Sequence, residues 1–168
     1  MRFLFLLLIF LFNAFANDAC KKGDISGYWL SDRDSKSGRS SLIKIFKNNG
    51  KYFGYIMIFM DTLDVGNDVK NEDFALRDRN ILGSVYIYNL KRSSDYSYIN
   101  GKYYDFNTGK TFHLSTSLSC NYLNLLISVD NTGFFGERRV YKYIPNEDAE
   151  FYLKKNKINA DFSGVKNK

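Results

Sequence analysis

The chain has 168 residues and carries 24 Lys and Arg against 18 Asp and Glu, a formal charge of +6. That surplus is mild and the lysines are scattered, so the charge pattern argues against a nucleic-acid-binding role and supports only weak attraction to anionic envelope surfaces. One histidine and two distant cysteines fall short of the three or four ligands of a zinc site, and neither cysteine sits in a C-x-x-C motif, so no metal, no cofactor and no redox chemistry is expected.

Residues 1–16 read as a signal peptide. Arg2 gives a positive start, Phe3 to Phe12 form an apolar core, and Ala14-Phe15-Ala16 fits the small-x-small cleavage rule, with the mature chain starting at Asn17. The apolar run is too short for a bilayer, which takes roughly 20 residues, so no integral membrane anchor is expected and the mature protein should be periplasmic or secreted. An oxidising compartment would permit Cys20 and Cys120 to pair, tying the mature N-terminus to the sheet; two free thiols are the alternative. What remains is one domain, a β domain over 17–145 followed by a helix and polar tail over 146–168.

In chain order, Ile25 to Leu30 opens the fold with Gly27-Tyr28-Trp29, which holds the only tryptophan. Ser40 to Lys47 alternates Ile43 and Ile45 against Lys44, and Asn48-Asn49-Gly50 is a turn signal leading into a strand over Lys51 to Met60. That second strand is apolar on both faces: Gly54, Ile56 and Ile58 on one, Phe53, Tyr55, Met57 and Phe59 on the other. Such a strand is covered on both faces or sits beside a mobile lid. Asp61 to Asn80 is a long polar connection with acids at Asp61, Asp64, Asp68, Glu72, Asp73 and Asp78, but the D-x-[DN]-x-[DN]-G order of a calcium loop is absent. Its length suggests a functional lid, and Arg77 and Arg79 near its end are candidates to latch it through its own acids or to hold an anion.

Ser84 to Lys91 and Asp95 to Lys102 give two tyrosine-rich strands. A hairpin follows, in which Asn107, Thr108 and Gly109 turn the chain and Phe112, Leu114, Thr116 and Leu118 alternate with His113, Ser115 and Ser117. Tyr122 to Val129 and Gly136 to Ile144 complete a set of about eight strands, with no helix between them. That is the pattern of a β-sandwich or an up-and-down barrel. Pro145 stops the last strand, and Asn146, Glu147, Asp148 and Glu150 suit the start of a short helix whose Ala149, Tyr152 and Leu153 share a face. From Asn156 the tail reads as polar and frayed.

Three stretches together resemble an uncharacterised family of small exported bacterial proteins with a lipocalin-like barrel of the calycin group. Gly27-Tyr28-Trp29 is similar to its opening G-x-W; Asn71 to Arg79 with Leu82-Gly83 resembles its N-x-D-x-x-L-R-x-R segment leading to L-G; Tyr104 to Phe112 resembles its Y-D-P-x-x-G-K-x-Y hairpin. Phe74, Asn80 and Phe106 stand where the family has proline, and Glu137 stands where a basic residue is usual, followed by Arg138 and Arg139. The resemblance implies an eight-stranded antiparallel up-and-down barrel and leaves open which of Arg138 and Arg139, if either, closes it against Trp29. It also implies a site for a bulky apolar ligand and no reaction.

Aligning the alternations points Ile43, Ile45, Gly54, Ile56, Ile58, Phe112, Leu114, Leu123, Leu125 and Ile127 inward. These are either plain core or the lining of a cavity gated by the 61–80 loop. Catalysis is not expected, because His113 lies on the polar face of its strand with no nucleophile or paired carboxylate beside it in the pattern. The reading is therefore an exported binding protein for a small hydrophobic molecule held in the barrel. The alternative is an envelope protein-interaction or inhibitor module with a solid core; oligomeric state is left open.

Overall fold

The computed structural model describes residues 23–35, 37–62, 66–153 and 158–165; the expected signal segment, Cys20 and Asp64 lie outside them. Among the described residues the strands are β1 (Gly27–Ser31), β2 (Ser41–Asn48), β3 (Lys51–Phe59), β4 (Val85–Arg92), β5 (Ser97–Asp105), β6 (Lys110–Ser119), β7 (Tyr122–Ser128) and β8 (Gly136–Ile144). Each pairs antiparallel with its sequence neighbour, and β8 pairs back onto β1, closing an up-and-down barrel. Helix α1 (Asn146–Leu153) follows, with Ala149 buried and Tyr152 left exposed.

Local chemistry sets the register. Asn49 and Gly50 both have positive φ, 47° and 75°, so the β2–β3 link is a two-residue turn of the primed kind that twists with its strands. It fixes Asn48 opposite Lys51 and carries Ile45 to Gly54, where the absent side chain leaves room for Ile87 from β4. Because all connections alternate ends, the β1–β2, β3–β4, β5–β6 and β7–β8 loops share one end of the barrel, the mouth. The incoming segment before β1 and the Asn49-Gly50 turn lie at the other.

Trp29 is fully buried, donates its indole N–H to the Ile25 carbonyl at 2.9 Å and lies opposite Ile43. The ladder answers the open question of which residue meets Trp29 across the closing seam. Across β1–β8 the residue facing Trp29 is Tyr143, whose ring meets the indole edge-on at 5.4 Å. Arg139 lies four residues further toward the mouth and is engaged there, while Arg138 alternates to the solvent side.

β3 is covered on both faces, as its composition requires. The outer cover is the segment 158–165, which was expected to fray. Asp161 donates its N–H to the Gly83 carbonyl at 2.8 Å and accepts from the Val85 N–H at 2.9 Å. Phe162 packs against Phe53 and Phe46 at 5.4 and 5.9 Å between ring centroids. Ile158, Ala160 and Phe162 recur at period two, so this stretch presents one apolar edge despite its polar neighbours.

Trp29→Ala should therefore lower the unfolding free energy by about 3–5 kcal/mol, the range for deleting a large buried aromatic. Urea denaturation followed by circular dichroism measures it, and an unchanged midpoint would reject the structural role.

Candidate ligand site at the barrel mouth

In β8 the two-residue period sends Glu137, Arg139, Tyr141 and Tyr143 inward, opposite Ile127, Leu125 and Leu123 of β7 and Trp29 of β1. The inner face of one strand thus changes from charged at the mouth to aromatic in depth. Arg139 has only 9% of its side chain exposed, and its guanidinium forms ion pairs with Asp34 from the β1–β2 loop and, at 2.8 Å, with Glu137. A second bond runs from Nε to Glu137 at 3.0 Å. Burying a guanidinium costs several kcal/mol unless opposite charge accompanies it, and these carboxylates supply that charge. Burial alone would raise the Asp34 pKa, but hydrogen bonds from Ser37 and the Arg139 guanidinium outweigh it and hold the carboxyl below its usual range. The neighbouring Asp32 is shifted the other way: burial dominates and pushes its pKa up, with Glu137 and Asp34 adding repulsion.

Three tyrosines complete this layer. Tyr86 and Tyr141 bring their hydroxyls to 3.4 Å, and Tyr103 lies edge-on to Tyr86 at 5.3 Å. Burial drives all three phenols far above their ordinary pKa, so they act as neutral hydrogen-bonding groups.

Around this layer the barrel opens. A cavity of about 410 Å³ is bounded by Tyr103 and Asp105 of β5, Phe112 of β6, Ile127 of β7, Val129 and Phe135 of the β7–β8 loop, and Glu137 and Arg139 of β8. A smaller space of about 90 Å³ shares Tyr103 and Arg139 with it and extends toward Ser31, Asp34, Ile56, Tyr86 and Tyr141, under Ile81 and Phe106. The larger volume falls within the few hundred Å³ usual for small-molecule sites.

The residues expected to line a deep apolar site divide accordingly. Ile43, Ile45, Leu114, Leu123 and Leu125 are buried to 2% exposure or less in the interior cluster. Phe112 and Ile127 line the larger cavity and Ile56 the smaller. Ile58 is corrected: a register shift between Leu42 and Ile43 sets it opposite Leu42, and neither belongs to the interior cluster. The open space that Phe112 and Ile127 border thus lies at the mouth and has mixed aromatic and charged walls. The residues missed were Asp34, Tyr86, Tyr103 and Tyr141. The alternation Glu137-x-Arg139-x-Tyr141 in β8 was a usable signal for the layer, because its inner face cannot be apolar.

The long β3–β4 connection is fastened down. Asp68 has no exposed surface; it accepts from Arg79 at 2.8 and 2.9 Å, from Asn71 at 2.7 Å and from the Tyr104 hydroxyl at 2.8 Å. Burial, with the Asp68 carboxylate beside it, pushes the Tyr104 phenol well above its usual pKa. Asn67 and Asn80 form a bridge at the loop base, and a Cβ at Gly109 would collide with the Lys70 carbonyl, so the β5–β6 turn seats the loop. Arg77 is separate: it donates to the Asn71 carbonyl at 2.8 Å and lies 3.9 Å from the exposed Phe74 ring. His113 is half-buried, its Nδ1 lying 3.4 Å from the Lys102 ammonium. Cys120, at φ 51° in the β6–β7 turn, is disulfide-bonded.

A closed, eight-stranded, antiparallel up-and-down barrel with a pocket in its mouth defines a lipocalin-like protein. The chain belongs to the family described as "Uncharacterized protein conserved in bacteria (DUF2147)", which matches residues 27–142. Its fold is similar to that of protein HP1028 from the human pathogen Helicobacter pylori, described as belonging to the lipocalin family. The TM-score is 0.77 at 27% identity, over 85% of this chain and 99% of that one. No curated protein sequence matches the chain.

Asp68→Ala, which leaves the Arg79 charge buried without its partner, should cost about 3–5 kcal/mol, whereas Arg77→Ala should cost about 1 kcal/mol or less. Chemical denaturation of the two variants side by side tests this, and equal losses would remove the distinction.

Proposed function

We propose that this protein is an exported, lipocalin-like binding protein that holds a small amphipathic molecule in the mouth of its barrel. The observation that supports this most directly is the cavity of about 410 Å³, where Phe112, Ile127 and Phe135 supply apolar wall and Arg139, Glu137 and Asp105 supply polar wall. An apolar ligand body against the first set, with a polar group turned to the second, uses both. The β3–β4 connection serves in this reading as a rigid rim latched by Arg79 on Asp68, while Arg77 trims its surface. The reading involves no catalysis, and it gives His113, beside Lys102, no part in the site.

A neutral, environment-sensitive fluorophore such as N-phenyl-1-naphthylamine should bind with about one-to-one stoichiometry. Phe135→Ala should weaken it several-fold without affecting folding, because Phe135 is 67% exposed. Leu123→Val, in the deep core, should lower stability by about 0.5–1.5 kcal/mol and leave the affinity unchanged. The opposite pattern would return the site to the interior. Export is tested separately: N-terminal sequencing of protein recovered from its host should begin at Asn17, and a chain retaining Phe3 to Phe12 would reject it.

A second reading, a protein-interaction module, draws on the packed interior together with apolar residues at the rim. Phe74, Phe134 and Phe135 are 77%, 82% and 67% exposed. Absence of probe binding would put this reading first.

A further inference from the structure

The outer wall of the barrel carries a second concavity. It has a volume of about 640 Å³ and crosses β4, β5 and β6 from Lys51, at the end opposite the mouth, toward Phe112 and Val129, which it shares with the mouth cavity. Two kinks shape it. Across β4–β5, Tyr88 pairs with Lys102 and Lys91 with Ile99, so Asn89-Leu90 face Asn100-Gly101 in a stretch outside the ladder's pairs. Both asparagines have φ 60°, whereas the other two non-glycine residues of positive φ among the described residues, Asn49 and Cys120, lie in turns. Asparagine tolerates this conformation, but within a strand it bends the chain and stores strain of the kind found at binding sites. Leu90 fills the inner side of the kink, where a Cβ at Gly101 would come within 2.6 Å of its Cδ1. The outer side forms the groove.

We propose that this groove binds an acidic polysaccharide, a chain of sugar units bearing carboxylate or sulfate groups. The first ground is charge. Lys51, Lys91, Lys102 and Lys110 line the groove with one acid, Glu72. Asp105 faces Lys110 across the β5–β6 ladder, and counting it together with Glu72 still leaves a surplus of two positive charges. Of the acids beyond its edges, Asp95 pairs with Arg92, and Asp130 accepts from Thr132 and Gly133 of its own loop. Lys51, Lys91 and Lys102 form no ion pair among the described residues. Lys51 instead donates to Asn89 Oδ1 at 3.3 Å, and the Lys102 ammonium lies 3.4 Å from His113 Nδ1. Because Tyr52 pairs with Leu90, Lys51 and Lys91 occupy adjoining positions on neighbouring strands, where like charges repel. A bound anion relieves that repulsion.

The second ground is spacing. Lys102 stands three residues along β5 from Ile99, the partner of Lys91, which separates the two lysines by roughly 10 Å at about 3.3 Å per residue. One small anion cannot meet both, but a chain charged on successive units can. Asn89, Asn100 and Thr111 add amide and hydroxyl groups suited to sugar hydroxyls. Tyr88, the ring in this wall, is 2% exposed and donates to the Thr111 hydroxyl at 3.4 Å, so it offers no face for the base stacking on which single-stranded nucleic acid relies. A concave wall does not match a flat bilayer.

The test is fluorescence anisotropy of labelled polygalacturonate, heparin, dextran and oligo-dT, each titrated with the whole protein over a salt series. Both acidic polysaccharides should bind and neutral dextran should not, and the stronger of the two acids tells carboxylate from sulfate. Lys91→Ala and Lys102→Ala should each weaken binding about fivefold and reduce the slope of log affinity against log salt by about one. Lys142→Ala, on the exposed outer face of β8, should change affinity less than about twofold if the groove and not the overall charge is responsible. Equal losses for all three lysine variants would overturn the proposal in favour of diffuse attraction. Oligo-dT binding as tight as heparin, with the same dependence on Lys91 and Lys102, would overturn it in favour of nucleic acid. No binding of either acidic polymer at low salt, or equal binding of dextran, would also overturn it.

Discussion

Closing eight strands into a barrel forces every second residue of every strand into one narrow interior, and that constraint decides where anything else can be accommodated. An interior of this size can be filled by side chains alone or can hold one small ligand. Here the deep layers are filled by Trp29, Ile43, Ile45, Tyr52, Leu90, Tyr98, Leu123 and Leu125, each 1% exposed or less. At roughly 1.5–3 kcal/mol for each large apolar side chain fully buried, that packing is a main source of stability and leaves no room to trade for a ligand. Among the described residues, the space of about 410 Å³ bounded by Tyr103, Phe112, Ile127 and Glu137 lies where the strands end.

The same alternation explains why the mouth is polar. β8 cannot rotate Arg139 outward without also turning Tyr141 and Tyr143 away from Tyr86 and Trp29, since one step of register reverses every side chain. The guanidinium is therefore committed to the interior, and Asp34 and Glu137 make that commitment tolerable. The β1–β2 loop is shaped by the need to deliver Asp34: its carboxylate also accepts the Ser37 N–H at 2.7 Å, while Arg33 and Ser40 fasten the adjoining chain to Asp61. An ordinary hairpin loop becomes the counter-charge to a strand on the other side of the barrel seam.

The strands and the hairpin turns were legible in the sequence because each depends on local chemistry: period-two alternation, Asn49-Gly50, Asn107 to Gly109, Pro145; their closure into a barrel, and not a sandwich, came from the family resemblance. Alternation also placed seven of the nine expected lining residues, Ile43, Ile45, Ile56, Leu114, Leu123, Leu125 and Ile127, in the interior cluster, with Phe112 packed at its edge. It lost Ile58 because a register shift is invisible to a periodicity count. The partner of Trp29 was out of reach for another reason. Which β8 residue faces it depends on the closing register of strands more than a hundred residues apart, and that register is fixed by packing around the whole barrel. The docking of 158–165 was missed because its apolar edge is three alternate residues long, too short to stand out before its target on β2 and β3 is known.

Depth within the barrel was the coordinate the sequence pattern could not supply, and depth separates core from site here. Leu125 and Ile127 are indistinguishable by type, face and strand, yet Leu125 lies opposite Arg139 in the packed interior and Ile127 lies opposite Glu137 on the cavity wall. A shift of two residues along β7 is about 6–7 Å, roughly the size of one side chain. Over that distance the interior passes from close-packed hydrocarbon to a space bounded by carboxylates and aromatic rings. A ligand bound there would touch apolar surface on one side and fixed charge on the other, so its affinity would depend on its head group as well as its chain. On the proposed reading, chemical discrimination in this barrel would sit at the boundary where packing stops.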